Sequence, residues 1–95
     1  MSDEYRIGLV LSVNSTRRIL YKFKQDEERD GLDVLLDRID SLTDREDASM
    51  NDCSGLMVSL ALLRRAMIDS INGEIVSRVE IDRPKAGIKS ALGLC

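Results

Sequence analysis

The stretch between residues 53 and 72 is the feature that most constrains how this chain can fold. Its apolar residues recur at intervals of three and four, which predicts one helix with a continuous hydrophobic stripe. The stripe consists of Leu56, Leu60, Leu63, Met67 and Ile71. Further apolar residues, such as Val58 and Leu62, widen it on both flanks. Because a helix that is apolar over so much of its circumference is usually buried on more than one side, we expect it at the centre of the fold.

The end of this helix has two competing interpretations. Gly73 is well placed to end a helix at its C′ position. The dipeptide Asn72-Gly73 is also a strong two-residue hairpin signal, in which case residues 66–71 would form a strand. Residues 60–67 are rich in good helix formers, and this favours the helix.

Three other stretches alternate between apolar and polar residues, which is typical of half-buried strands. The first runs over residues 5–13 and the second over residues 19–23, with turn-forming side chains at residues 14–17 between them. Together they predict a β-hairpin. The third covers residues 74–82 and would end at Pro84. Its expected buried face consists of Ile75, Val79 and Ile81.

The element order predicts an α+β fold. A helical period from Asp26 to about Asp47 adds a second helix before the central one, so the order is β-β-α-α-β. The simplest architecture is a small two-layer domain, with a three-stranded antiparallel sheet and a helical hairpin on one face. A short terminal helix over residues 84–95 is also expected. A chain of 95 residues forms a single domain, residues 1–95.

Several function classes are disfavoured by composition. The chain contains no histidine, which is the commonest general base and a common zinc ligand. Its two cysteines, Cys53 and Cys95, form no CxxC pair and are expected as thiols in a reducing, cytoplasmic compartment. The first apolar run is too short for a membrane span. We therefore expect no enzymatic activity, no cofactor, no metal and no membrane insertion.

Charge is distributed unevenly and gives the strongest functional hint. The net charge is −3, yet residues 26–52 hold eleven acidic and three basic residues. Aspartates recur there at helical spacing and predict an acidic stripe opposite the apolar face. The candidate partner-binding residues are Asp30, Asp33, Asp37, Asp40, Asp44 and Asp47. A solvated face is the plainer interpretation, but short like-charged side chains four apart weaken a helix, and this favours docking of a basic protein.

Part of the same segment resembles a calcium-binding loop. Residues 26–37 place acidic groups at several ligand positions of an EF-hand, with Gly31 at its sixth position. The twelfth position is Asp37 instead of a bidentate glutamate, and the preceding segment is predicted to be a strand. The helical face is therefore the favoured interpretation.

Basic residues cluster near both ends of the chain and define an alternative function. On the predicted hairpin and the C-terminal tail, the candidate nucleic-acid contacts are Arg17, Arg18, Lys22, Lys24, Arg83, Lys85 and Lys89. They are positioned to follow a phosphate backbone. The simpler explanation is charge that protects an exposed sheet edge.

Two adjacent arginines, Arg64 and Arg65, interrupt the central helix. Arg65 and Asp69 are spaced for a local ion pair; alternatively one arginine contributes to a subunit interface, where arginine is enriched. The central helix carries more apolar surface than one short helix and a three-stranded sheet can cover, which predicts a homodimer. The favoured function is a non-enzymatic regulatory or interaction protein with a basic protein partner. Nucleic-acid binding is the alternative, and a small enzyme or metal-binding protein is the third.

Overall fold

The computed structural model contains four α-helices and describes residues 3–23, 26–43 and 50–93. Their bounds are Asp3–Leu20 for α1, Asp26–Thr43 for α2, Met50–Ile71 for α3 and Arg78–Ala91 for α4. No strand occurs within these three ranges. The predicted α+β fold with a three-stranded sheet is therefore wrong, and the domain is all-helical.

The helices form a four-membered bundle in which α3 is the best-packed element. α3 packs extensively against α1 and α4, while α2 packs against α1 and touches α4. The order around the bundle is thus α1, α3, α4, α2, with α1 and α4 at opposite corners. The core is almost entirely aliphatic, with Phe23 as its aromatic member. Its largest fully buried residues from α1 to α4 include Leu9, Leu20, Leu36, Ile39, Leu60, Met67 and Ile88.

α1 replaces the predicted N-terminal hairpin. Leu9, Val13 and Leu20 are fully buried and lie on one helical face, whereas Ile7 and Leu11 are exposed. A buried threonine, Thr16, completes that face. Its hydroxyl donates to the Ser12 carbonyl oxygen at 2.7 Å, which satisfies the polar group inside the helix. The apparent alternation arose because buried and exposed apolar residues together mimic a two-residue period.

α4 replaces the third predicted strand. Ser77 is its N-cap in an extended conformation and forms a capping box with Glu80, whose carboxylate accepts from the Ser77 backbone N–H at 2.8 Å. Ile81, Pro84 and Ile88 face the core, and Pro84 lies inside the helix instead of ending a strand. Ile75, expected on the buried face of a strand, is fully exposed.

α3 matches the helix expected at the centre of the fold. Leu56, Leu60, Leu63 and Met67 are buried, whereas Ile71 near the helix end is exposed. Its last turn closes as a Schellman motif: the Glu74 N–H donates to the Asp69 carbonyl at 2.9 Å, and the Gly73 N–H to the Ser70 carbonyl at 3.1 Å. Gly73 has a φ of +86°, which glycine adopts without steric cost. The strand alternative for residues 66–71 is therefore excluded.

Gly87 lies where α4 approaches Ser59 of α3 closely. A Cβ atom at this position would lie 2.7 Å from the Ser59 hydroxyl oxygen, whereas a Cβ atom at Gly55 would meet nothing within 4 Å. Glycine inside a helix costs about 1 kcal/mol relative to alanine. Substitution by alanine at the two positions therefore separates steric fit from helix propensity.

We predict that Gly55→Ala stabilises the protein by about 0.5–1 kcal/mol. Gly87→Ala should instead destabilise it by about 1 kcal/mol, because overpacking outweighs the propensity gain. Adding Ser59→Ala to Gly87→Ala removes the colliding oxygen and should recover that stability. Urea unfolding followed by circular dichroism measures all three. Equal stabilisation by the two single substitutions would contradict close packing at Gly87.

Candidate functional site

Three predicted acidic contacts on α2 are joined to α1 by one arginine. Arg17 Nη1 lies 2.6 Å from Asp33 Oδ1 and 3.3 Å from Asp37 Oδ1, and Arg17 Nη2 lies 2.8 Å from Asp40 Oδ2. The aspartates share a helix face because they are three or four residues apart. We call these four residues the arginine clamp. It fastens α2 to α1 and neutralises part of the acidic stripe.

Electrostatics in the clamp favour the charged guanidinium. Burial by itself lowers the pKa of Arg17, but the carboxylates of Asp40, Asp33 and Asp37 together outweigh this and raise that pKa. Three carboxylates and one cation leave a net charge of −2 on the clamp. Asp37, whose side chain is 71 % exposed, is its most accessible acid. The clamp therefore keeps some acidic surface open to solvent.

Other predicted contacts fall beyond what the structure describes. Asp44, Asp47 and Lys24 lie outside the described residues, as does the side chain of Asp30. The partial calcium-loop match at residues 26–37 lies within α2. Its backbone is therefore helical and does not adopt the turns of an EF-hand loop.

The predicted basic contacts do not assemble into one surface. Arg17 is occupied by the clamp, while Arg18 and Lys22 are exposed near the end of α1. The remaining members lie on α4, which occupies the opposite corner of the bundle. These are the exposed Arg83 and Lys89 and the partly buried Lys85. Because α1 is a helix, the basic hairpin expected from the sequence does not exist.

The two adjacent arginines of α3 point in different directions. Arg64 faces α1, where its Nη1 lies 2.7 Å from Ser12 Oγ, 3.1 Å from the Ser12 carbonyl oxygen and 3.1 Å from Thr16 Oγ1. These hydrogen bonds from Arg64 fix α3 against α1. Arg65 is exposed, and within the described part of α3 it forms no ion pair with Asp69. Arg65 is therefore the arginine available for an interface.

An exposed hydrophobic surface surrounds Arg65. We call it the α3–α4 face. It comprises Val58, Leu62, Arg65, Ile68 and Asp69 of α3, and Val79, Glu80 and Arg83 of α4. All four apolar members are exposed to solvent, with Val58 the most exposed at 61 %. Large apolar side chains grouped in this way mark interaction sites more often than isolated ones do.

The charged residues of the α3–α4 face are ordered along the helices. α3 and α4 run antiparallel, since Ser59 contacts Gly87 and Ala66 shares an open groove with Glu80. Arg65 lies one turn before Asp69 on α3, and Glu80 lies nearly one turn before Arg83 on α4. Both arginines are therefore nearer the Leu62 end, and both acids are nearer the opposite end.

α1 carries a smaller exposed apolar patch. Ile7, Val10 and Leu11 form it beside Arg6. This patch belongs to one helix and contains one charged residue. It lacks the paired charges and the inter-helix groove of the α3–α4 face, so the latter is the stronger candidate.

The described ranges contain neither a cluster of metal ligands nor a membrane-spanning helix. No group of three or more acidic or cysteine side chains there is arranged to bind a metal ion. None of the described helices is both long and hydrophobic enough to cross a membrane. Comparisons with protein-family models, with curated proteins and with solved structures return no match.

The α3 half of this face was partly visible in the sequence. Val58 and Leu62 flank the central stripe, and one of the two adjacent arginines, Arg64 or Arg65, was an interface candidate. The α4 half was missed, because Val79 and Glu80 were assigned to a strand. The spacing Ser77-x-x-Glu80 is a capping-box signature and is the signal that indicates a helix start.

Proposed function

We propose that this protein is a non-enzymatic interaction protein that binds another protein through the α3–α4 face. The exposure of large apolar side chains on a helix whose other side is fully buried supports this. Helices pack on helices through ridges and grooves, so a helical surface is the natural occupant of the groove between α3 and α4. A cytoplasmic location is part of the proposal and rests on the number and spacing of the cysteines.

The charges of the face define the chemistry of the partner. Arg65 and Arg83 require acidic groups opposite them, while Asp69 and Glu80 require basic ones. Glu80 Oε2 also accepts the capping hydrogen bond from the Ser77 backbone N–H, and the Glu80 side chain is exposed. The expected partner surface is therefore an apolar helical ridge flanked by charges of both signs, unlike the uniformly negative backbone of a nucleic acid.

A photo-crosslinking amino acid at Leu62 tests this proposal in cells that produce the protein. Val34 on α2 is the matched control, because its side chain is 58 % exposed and that of Leu62 is 52 % exposed. We expect a protein crosslink at Leu62 that maps to a helix of the partner and is lost when Arg65 is replaced by glutamate. Absence of any protein crosslink at Leu62 would overturn the proposal.

The clamp supports a second candidate, a basic protein partner on α2. Its three carboxylates outnumber its single cation, and Asp37 remains largely exposed. Exposed charges of this kind act mainly on association rate and specificity. Because Val34 lies beside Asp33 and one turn from Asp37, the same experiment tests this candidate. A crosslink to a basic protein at Val34, with none at Leu62, would favour the acidic surface.

A further inference from the structure

The two charged ends of the α3–α4 face are complementary to each other. The basic end carries Arg65 and Arg83, and the acidic end carries Asp69 and Glu80. The four charges sum to zero, and within each helix the arginine and the acid are three or four residues apart, roughly 5 Å along the axis. A surface of this kind matches a copy of itself turned end over end, and such self-complementarity is what a two-fold symmetric interface requires.

We propose that the partner of the α3–α4 face is a second copy of this chain, docked antiparallel across a two-fold axis that passes between the levels of Arg65 and Asp69. This inference rests on the docking function proposed above and names its partner. In this arrangement Arg65 of each protomer lies over Asp69 of the partner subunit. The apolar side chains of both faces are covered at the same time.

The order of charges selects the antiparallel arrangement over the parallel one. If the two-fold axis ran along the helices, α3 would lie over α4 of the partner. Each residue of the partner would then be at the same height along the helix axes as in the first protomer. Arg65 would then lie between Arg83 and Glu80 of the partner subunit, and Asp69 would lie nearer to Glu80 than to Arg83 of the partner subunit. Such proximity of two acids is unfavourable. With the axis across the helices, Arg65 instead meets Asp69 of the partner subunit.

The connection between α3 and α4 supports the same arrangement. It begins about six residues beyond the axis and carries Ile75, which is fully exposed. Val58 lies about eight residues before the axis on the same helix. Antiparallel docking therefore carries Ile75 of each protomer towards the Val58 end of its partner. Two exposed apolar groups are brought into one contact region.

The size of the face sets the expected affinity. From Val58 to Ile71, α3 extends about 20 Å, and two packed helices are about 20 Å wide. The contact therefore covers on the order of 400 Å² per protomer, below the standard size for stable complexes. We therefore expect a weak dimer whose population depends on protein concentration.

Light scattering coupled to size exclusion, repeated from about 5 to 200 μM protein, measures this equilibrium. The monomer mass is 10.6 kDa. The wild type should approach twice that mass at high concentration, and Leu62→Asp should remain monomeric with an unchanged helical spectrum. Val34→Asp is the control, because its α2 position lies outside the interface. A wild-type mass that stays monomeric at 200 μM would overturn the homodimer.

Charge reversal tests the antiparallel arrangement. Arg65→Glu and Asp69→Arg should each weaken the dimer about tenfold, since every substitution occurs twice in a symmetric interface. The double variant exchanges the two charges and should recover affinity to within about threefold of the wild type. Undiminished association of Arg65→Glu alone would exclude the pairing of Arg65 with Asp69 of the partner subunit, and failure of the double variant to recover would also refute it.

The two proposals fail in different ways. A monomeric protein that still forms a specific crosslink to a different protein at Leu62 retains the docking function but excludes self-association. A dimer that is insensitive to Leu62→Asp and to the charge reversals uses another surface, and it excludes the proposed interface.

Discussion

Replacing Leu63 with aspartate is expected to unfold the protein. Leu63 lies on α3 and is 1 % exposed, in the core that all four helices share. The substitution removes a buried leucine side chain and places a carboxylate among the aliphatic side chains of the core. Burial of an unpaired charge costs several kcal/mol, and the whole stability of a small domain is about 5–15 kcal/mol. Circular dichroism should show loss of helical signal, or a urea midpoint near zero.

Leu62→Asp is the matched control for that experiment. The two leucines are adjacent in sequence, but Leu62 is on the α3–α4 face and its aspartate would remain solvated. We expect its unfolding free energy to stay within about 1 kcal/mol of the wild type. If Leu63→Asp retained the wild-type spectrum and urea midpoint, α3 would not be the centre of the core.

Replacing Arg17 with alanine is expected to destabilise the protein by about 1–2 kcal/mol. The substitution removes three charged contacts and leaves Asp33, Asp37 and Asp40 facing one another without a cation. The expected loss of stability lies at the lower end of the range for charged hydrogen bonds, because these side chains are partly solvated. Urea unfolding of Arg17→Ala against the wild type gives the difference directly.

Arg18→Ala is the control for the clamp, because Arg18 is adjacent in sequence and exposed. We expect it to change stability by less than about 0.5 kcal/mol. The difference between the two variants should shrink in high salt, since these partly exposed charges are screened. An Arg17→Ala variant as stable as Arg18→Ala at low salt would show that the clamp does not stabilise the fold.

The pH dependence of the clamp follows from the raised pKa of Arg17. A cation whose pKa is higher in the folded state contributes its full stabilisation below its unfolded pKa and loses it only as pH rises through the folded value. Both values lie far above neutrality for arginine. The contribution of the guanidinium should therefore be constant between about pH 6 and pH 9.

The sequence predicted α2, α3 and the second half of α4, but not α1 or the start of α4, for identifiable physical reasons. In α3 the apolar residues follow one helical period without interruption, and Gly73 supplies the αL cap. In α1 a buried threonine breaks the apolar period and two exposed apolar residues, Ile7 and Leu11, imitate a strand. The pairing of Thr16 with the Ser12 carbonyl is a local contact that hydrophobicity patterns do not reveal.

The candidate surfaces were predictable to a similar extent. Spacing alone placed Asp33, Asp37 and Asp40 on one helix face, and the structure agrees. Their joint contact with Arg17 depends on how α1 packs against α2, which requires α1 to be a helix. The α4 half of the α3–α4 face was hidden for the same reason. Both errors follow from assigning strands to segments that contain exposed isoleucine, valine and leucine.

The packing of α1 against α3 has a consequence during synthesis. Gly8 meets Met57, and Arg64 donates to Ser12, so the main neighbour of α1 is encoded about 50 residues downstream. At about 5–20 residues per second, a ribosome needs roughly 3–10 s to make that stretch. Throughout this interval Leu9 and its neighbours lack the helix that buries them. α1 can therefore pack against α2 first, and its larger contact with α3 forms only late in synthesis.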